Sequence, residues 1–354
     1  MKVVYVKAPY QFEIRDVQVP VLSADEVLLD VQACAVCGTD IHEAAKDASD
    51  WESFGHEIAG IVIKCGSNVT IVKEGDTVVV ESGTFCHVCT NWRNGRVDLC
   101  EHGFSIINDV EISGYSEYLV APAQALVPFS TDKLSFRQAA LTEPLGVALD
   151  LFYTTDIELN EDVAVIGLGP IGLMAIALAK NAGARNIYAI QRTRRSKARI
   201  ELAKKLGATD VIVTSETPME TYPYARGGVD KIMITAAPSV IPDAFKIANY
   251  GGVISFLGID MQNGDITFNA NDFHFRKLQL RASYAAPALW FPRALELLES
   301  RVVDPDDFIT HTFQMSEIEK MFLKARDSGE DVIKMIMVKS SDEMKVVSNN
   351  DAVV

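Results

Sequence analysis

The sequence predicts an α/β protein in which a β-rich, largely antiparallel unit is interrupted by a parallel, doubly wound sheet. Three observations carry that prediction. From Met1 to about Leu145 the apolar residues fall in short segments broken by Gly, Pro and Asp; from about Gly146 strand and helix patterns alternate; and the first strand-to-helix turn of the alternating stretch reads G-L-G-P-I-G. At 354 residues the chain also exceeds the roughly 250–300 residues at which a single core stops growing, so two cores are expected.

In chain order, strands are predicted at Val3 to Val6, Val27 to Val31, Ile58 to Ile63, Thr77 to Val80 and Tyr118 to Val120, a regular series of short strands of the kind that builds antiparallel sheets. Then come a strand at Val163 to Ile166, a helix at Gly172 to Asn181, a strand at Asn186 to Ile190, a helix at Lys197 to Leu206 and a strand at Val211 to Val213. Lys231 to Thr235, a helical stretch near Ile241 to Asn249, and Val253 to Leu257 complete a βαβ series, which gives a parallel sheet. From about Tyr284 the pattern returns to the first unit. Phe291 to Ser300 reads as an amphipathic helix, Ser316 to Asp327 as a helix opened by Ser316-x-x-Glu319, and Lys334 to Val338 as a closing strand. The expected division is therefore residues 1–146, 147–284 and 285–354, with a polar tail from Ser340 to Val354 that should fray.

A hydrophobic fraction of 48% and a charged fraction of 23% are those of an ordinary globular protein and exclude disorder. No apolar run reaches the ~18 residues of a membrane span, and Lys2, Lys7, Glu13, Arg15 and Asp16 leave no secretory apolar region at the start. The expected location is the cytoplasm, with no membrane partner. A net charge of −15 repels nucleic acid and anionic lipid alike, so any bound phosphate must be handled locally. Six cysteines in such a chain point to metal ligands or core residues rather than disulfides, and Cys34 and Cys65, outside any ligand pattern, read as buried apolar fillers.

Cys37 in C-G-T-D-I-H, His56 and Glu57 in G-H-E, and Glu143 in E-P-L-G-V-A bring sulfur, nitrogen and oxygen donors suited to one zinc ion, which takes mixed ligands and, when catalytic, keeps one position open. Gly167, Gly169 and Gly172, with Pro170 and Ile171 between them, follow a strand and open a helix. That context turns a weak glycine pattern into a dinucleotide cradle: Gly167 for the tight turn, Gly169 for close approach of the pyrophosphate, Gly172 for helix–strand packing. Where an acidic residue normally holds the ribose 2′-hydroxyl stands Gln191, followed by Arg192, Arg194 and Arg195, so NADP is favoured over NAD, the alternative being a solvated basic helix start.

With G-D-T-V-V-V at Gly75, G-A-T-D at Gly207 and I-T-H at Ile309, these motifs make nearly the whole chain resemble the zinc-dependent medium-chain dehydrogenase/reductase superfamily, and within it the polyol (sorbitol) dehydrogenase-like branch. The resemblance implies a GroES-like catalytic domain from both chain ends, a Rossmann domain between them, and an active site in the cleft. It implies that Cys37, His56 and Glu143 ligate the catalytic zinc, and that Glu57 ligates directly, exchanges with water, or is salt-bridged nearby. Thr39 matches the hydroxyl that bonds the substrate alcohol, His42 the far end of a proton relay or else a surface histidine, and Asp40 the carboxylate that orients His56. The substrate proton then leaves through Thr39 and His42 while hydride passes to the nicotinamide.

One departure stands out. Where the superfamily has C-x-x-C-x-x-C and a fourth cysteine for a structural zinc, this chain has Cys86, Cys89, Trp92 and Cys100. Either the lobe is metal-free with Trp92 packed in it, or a neighbour such as His87 completes the shell. The loop from Glu43 to Phe54, with several acids and Trp51, either lines a polar pocket or is solvated. The implied substrate is a secondary alcohol of a polyol, sugar or cyclitol. Threonine dehydrogenases share C-G-T-D-x-H, which keeps an amino-alcohol open. A zinc-free quinone or enoyl reductase and a non-catalytic dinucleotide sensor are the competing readings. A homodimer or homotetramer is expected through an edge strand near Val253 to Leu257.

Overall fold

In the computed structural model, residues 1–284, 287–327 and 329–339 are described; the tail from Ser340 lies outside them. The chain divides into two compact units, one from Met1–Gly146 joined by the segment after residue 286, the other spanning Val147–Ala285.

The first unit opens with β1 (Lys2–Lys7), β2 (Gln11–Asp16), β3 (Glu26–Ala35), β4 (Glu52–Ser53), β5 (Glu57–Cys65), β6 (Thr77–Val80), β7 (Tyr118–Pro122) and β8 (Leu126–Pro128). In β3 the residues Val27, Leu29 and Val31 point inward while their neighbours are half-exposed, the period-two pattern of a half-buried strand. β3 is the hub of its sheet, antiparallel to β5 and to β7, and β5 in turn pairs with β6 and β6 with β8. β2 escapes sequence reading because Q-F-E-I-R-D is charged at alternate positions and mostly exposed. The core gathers Leu29, Ile58, Phe54, Tyr115 and Phe322, with the Phe54 ring 4.5 Å from Tyr115 and 5.7 Å from Phe322.

The second unit is an all-parallel sheet of β9 (Asp162–Ile166), β10 (Asn186–Gln191), β11 (Asp210–Val213), β12 (Val229–Ile234), β13 (Ala248–Phe256) and β14 (Gln279–Ala282), in the order β11-β10-β9-β12-β13-β14. Strand order reverses at β9, and ligands of such sheets sit outside the carboxyl ends of the strands at that switch point. Ile166, Ile190, Ile232, Ile234, Ile254 and Phe245 fill the core. The expectation that Val253 to Leu257 forms an outer edge is corrected: β13 is interior, paired with β12 on one side and β14 on the other. The short helix Ala270–Phe275 returns the chain for one more strand, so the edge on that side is β14, with β11 at the other.

The chain then re-enters the first unit through the helix Phe291–Glu299, β15 (Ile309–Phe313), the helix Ile318–Asp327 and β16 (Lys334–Val338). The cap falls at Glu317 rather than Glu319: it accepts the Gln314 N–H at 3.1 Å and caps the 3-10 turn Met315–Glu317 that leads into that last helix. β16 does not close an edge. It lies between β15 and β3, and all five of its residues are buried, Lys334 among them.

Candidate active site

Cys37 follows the end of β3 and caps the helix Gly38–His42. Its N–H donates to Asp40 Oδ2 at 2.8 Å, and the Tyr115 hydroxyl donates to the same oxygen at 2.8 Å, so a fully buried carboxylate fixes the turn that presents the thiol. Gly55 precedes His56 with φ +95°, and a Cβ there would lie 2.7 Å from the Tyr115 ring, so only glycine lets the chain pass that ring and deliver His56 and Glu57 at the start of β5. Ligand atoms of Cys37, His56 and Glu57 all lie within 4.8 Å of one another. Glu143, in the first turn of the helix Thr142–Thr155, stands outside that set; its Oε1 accepts from Ser82 Oγ at 2.8 Å, just past β6, and its charge acts on both His56 and Glu57.

Burial works to lower the His56 pKa, yet the charges of Cys37, Asp40 and Glu143 outweigh it and hold the imidazole well above its ordinary value. Asp40 Oδ1 is 3.6 Å from His56 Nδ1, an ion-pair rather than hydrogen-bond distance, and it has no hydrogen-bond partner among the described residues. Anionic donors therefore crowd a buried point.

Lys334, a cation in contact with them, was not singled out from the sequence. Its Nζ stands 2.6 Å from both oxygens of Glu57, with hydrogen-bond geometry to Oε1 alone, and donates to Val36 O at 2.8 Å. Burial lowers this lysine's pKa, but Glu57, Cys37 and Glu143 outweigh it and keep the pKa above the usual lysine value. The available signal was a charged residue opening an otherwise apolar strand, K-M-I-M-V. The soft-and-hard donor set, its surplus of negative charge and the unbonded oxygens of Glu57 and Asp40 fit a zinc ion.

Thr39 and His42 are exposed and share one face of their short helix, three residues apart; Thr39 Oγ1 lies 3.7 Å from Cys37 Sγ. The helix widens into a π-helical turn at Glu43–Asp47, and there Glu43 buries an unbonded Oε2, its carboxyl pushed up to about 7 by burial and by Asp40. Of the loop that follows, Trp51 carries the Arg15 guanidinium 5.0 Å from its ring centre and Asp50 pairs with Lys7 at 3.3 Å.

In the second unit, Gly167 has φ +105°, and a Cβ on it would lie 2.6 Å from Thr235 Oγ1. Gly169 caps the helix Pro170–Asn181, with Pro170 and Ile171 in its first turn and open space where a Cβ would go. A Cβ on Gly172 would fall 1.9 Å from Gly167 O. Thr235, unremarked in the sequence, donates to Gly167 O at 3.0 Å and braces the turn. Gln191 donates its amide to Thr193 O at 2.7 Å, and Arg194 forms a forked pair with Glu216 at 2.6 and 2.8 Å, while Arg192 and Arg195 are exposed beside them.

In the three-cysteine lobe, the sulfurs of Cys86, Cys89 and Cys100 also lie within 4.8 Å of one another. His87 does not join them; its ring meets Trp92 edge-on at 5.2 Å. Three sulfurs and an indole do not fit the closed tetrahedral shell of a structural zinc. Cys34 is fully buried, whereas Cys65 is only partly so, because it ends β5 where the strand leaves the core.

Comparison with known proteins agrees with this architecture. The alcohol dehydrogenase GroES-like domain matches residues 23–131, and the zinc-binding dehydrogenase domain matches residues 170–300. An L-threonine 3-dehydrogenase of Bacillus velezensis is 34% identical over 87% of this chain and 90% of its own length. A sorbitol dehydrogenase of Bacillus subtilis is 29% identical over 95% of this chain and 97% of its own. The structure of an alcohol dehydrogenase from Thermus sp. ATN1 superposes with a TM-score of 0.87 at 25% identity, covering 96% of this chain and 99% of that one. On its motifs, its two matched domains and its full-length relatives, the chain belongs to the zinc-dependent medium-chain dehydrogenase/reductase superfamily and is an NAD(P)-dependent alcohol dehydrogenase.

Proposed function

We propose that the protein oxidises the secondary alcohol of a polyol, sugar or cyclitol to a ketone, with NADP as the favoured acceptor. The observation that carries this reading is the convergence of Cys37, His56 and Glu57 within 4.8 Å, with Glu143 acting on them electrostatically. A zinc ion held by Cys37, His56 and Glu143 would supply the Lewis acidity that brings loss of an alcohol proton into the neutral range. Glu57, bound to Lys334, is the carboxylate held in reserve beside them. Thr39 accepts the substrate hydroxyl proton and His42 passes it to solvent, both being exposed on one helical face. Gly169, with space in place of a side chain, takes the pyrophosphate against the helix N-terminus, and Arg192 and Arg195 take the 2′-phosphate.

A second reading has its own support. The 34% identity to an L-threonine 3-dehydrogenase favours a vicinal amino-alcohol, for which the buried, unbonded Oε2 of the half-buried Glu43 offers an acceptor to an ammonium group. Turnover of a polyol and cyclitol panel alongside L-threonine, with NAD and NADP in parallel, separates the two. The first reading expects polyol turnover that a chelator abolishes and zinc restores, and that Cys37→Ser loses with the fold intact. Undiminished turnover in that variant would end both.

The cytoplasm is the proposed location, in keeping with six unpaired cysteines. A homodimer or homotetramer through the open edge of β14 is the proposed assembly.

A further inference from the structure

We propose that Cys86, Cys89 and Cys100 form a thiol–disulfide site, which a low-molecular-weight disulfide of the glutathione type converts to one cystine and one free thiolate, in place of a structural zinc. The lobe has lost the fourth corner of a metal shell to Trp92 and kept everything that thiol exchange needs.

Every one of the three sulfurs accepts a main-chain N–H. Cys86 N donates to Cys100 Sγ at 3.2 Å, Cys89 N to Cys86 Sγ at 3.3 Å and Trp92 N to Cys89 Sγ at 3.4 Å. Donors aimed at sulfur favour the thiolate, which is the reactive form. The effect is largest at Cys86, where the N–H of Val88, with that of Cys89, pulls the pKa down to about 7, near the optimum for an attacking thiol at neutral pH. Burial instead pushes Cys100 up, so of these two Cys86 is the attacking thiolate and Cys100 the thiol that resolves it. All three are partly exposed, so a small disulfide can reach them.

Exchange balances without any further reactant. The Cys86 thiolate attacks one sulfur of the small disulfide; its S–S bond breaks, and the departing thiolate takes a proton from water. Cys100 then attacks the Cys86 sulfur, loses its proton, and releases the second small thiol. Cys89 can complete the shuffle, with its sulfur 4.0 Å from Cys100 Sγ. Its attack on Cys100 returns Cys86 as the thiolate. Two protein thiols are oxidised to a cystine and one small disulfide is reduced to two thiols. Oxidation brings this 4.0 Å pair of sulfurs to the ~2.05 Å of an S–S bond. The resulting Cys89–Cys100 cystine staples the short helix Thr90–Arg93 to the 3-10 turn Val97–Leu99.

The test uses the full chain equilibrated anaerobically with mixtures of reduced and oxidised glutathione, then alkylated and mapped by mass spectrometry, with zinc counted on the same samples. The expected result is one intramolecular cystine within residues 86–100, formed as the oxidised fraction rises, and one zinc per chain before and after. Cys89→Ser should still close Cys86 with Cys100. Cys100→Ser should close Cys86 with Cys89. Trp92→Cys, restoring the fourth thiol, should gain a second zinc per chain and resist oxidation. Two zinc ions per wild-type chain, or three lobe thiols alkylated at every glutathione ratio, would overturn the proposal. Because mass and zinc content are read directly, the result does not depend on the substrate or on turnover.

Discussion

Lys334 Nζ and the Glu57 carboxylate stand 2.6 Å apart, with side chains 3% and 1% exposed. Each is the first residue of its strand, β16 and β5, and the second bond of Lys334, to Val36 O, ties the pair to the turn that carries Cys37. Two buried charges in contact are weak evidence of net stabilisation, but removing one strands the other. Lys334→Met is therefore expected to cost about 3–5 kcal/mol in urea unfolding, and Lys334→Arg distinctly less. Adding Glu57→Leu to Lys334→Met should recover most of the loss. The lysine pKa is raised in the folded state, so the lysine's contribution is fully present below the ordinary lysine value and is lost as pH rises through its folded value, whereas Glu57, its pKa raised by burial, makes stability fall as pH rises through the carboxylate range. A single Lys334→Met variant within ~1 kcal/mol of the parent would show that the pair does not hold the strands.

Gly169 and Gly172 separate binding from folding. A Cβ at Gly169 meets nothing within 4 Å, so Gly169→Ala should leave the unfolding midpoint nearly unchanged. It should raise the KM for the dinucleotide roughly tenfold or more, because the methyl occupies the approach of the pyrophosphate and weakens a charge-assisted bond worth about 1.5–3 kcal/mol. Gly172→Ala sets a carbon 1.9 Å from Gly167 O and should destabilise the second unit by about 1–3 kcal/mol. Equal stability loss in both variants would contradict this division of roles.

How far the sequence was legible follows from which signals are local. The parallel strands β9 to β13 were readable because each is a short apolar run next to a helix pattern, β9 being found within one residue; in the first unit β6 and β16 were found to the residue. β2 and β4 were not, since β2 alternates over only five residues with three charges and little burial, and β4 has two residues. The candidate metal donors Cys37 and His56 announced themselves through their immediate neighbours. Lys334 did not, because its meaning lies in a contact 277 residues away that only pairing of β16 against β3 creates. Tyr115 was hidden for the same reason: its hydroxyl reaches Asp40 across 75 residues. The edge of the second sheet was misplaced because β14, Q-L-R-A, has two polar residues in four and reads as loop.

Arg192 and Arg195 should govern the choice of dinucleotide. Arg194 is already engaged by Glu216, although a pair with side chains 65% and 46% exposed is worth little and yields to a better partner. Arg192→Ala and Arg195→Ala are each expected to raise the KM for NADP by roughly 10–100-fold, the worth of one charge-assisted bond of about 1.5–3 kcal/mol, with the KM for NAD changed less than threefold. Arg194→Ala should have a smaller effect on NADP. Parallel loss for both dinucleotides would show that the arginines act through the general field and not on a 2′-phosphate.

Glu81 should make stability depend on pH across the neutral range. It follows β6 with its N–H tied to Ala125 O at 2.8 Å, and burial pushes its carboxyl up to about 8. The folded chain therefore keeps this proton up to about pH 8, while the unfolded chain releases it near the ordinary glutamate value of ~4.3. Between those limits the unfolded state binds fewer protons, so stability falls as pH rises, by an amount on the order of a few kcal/mol from pH 5 to pH 8. Glu81→Gln keeps the shape and polarity without the charge, and is expected to match the parent near pH 5 and exceed it near pH 8. Urea unfolding at both pH values reads this directly. A constant difference between the two proteins at pH 5 and pH 8 would mean that Glu81 is already ionised in the folded state.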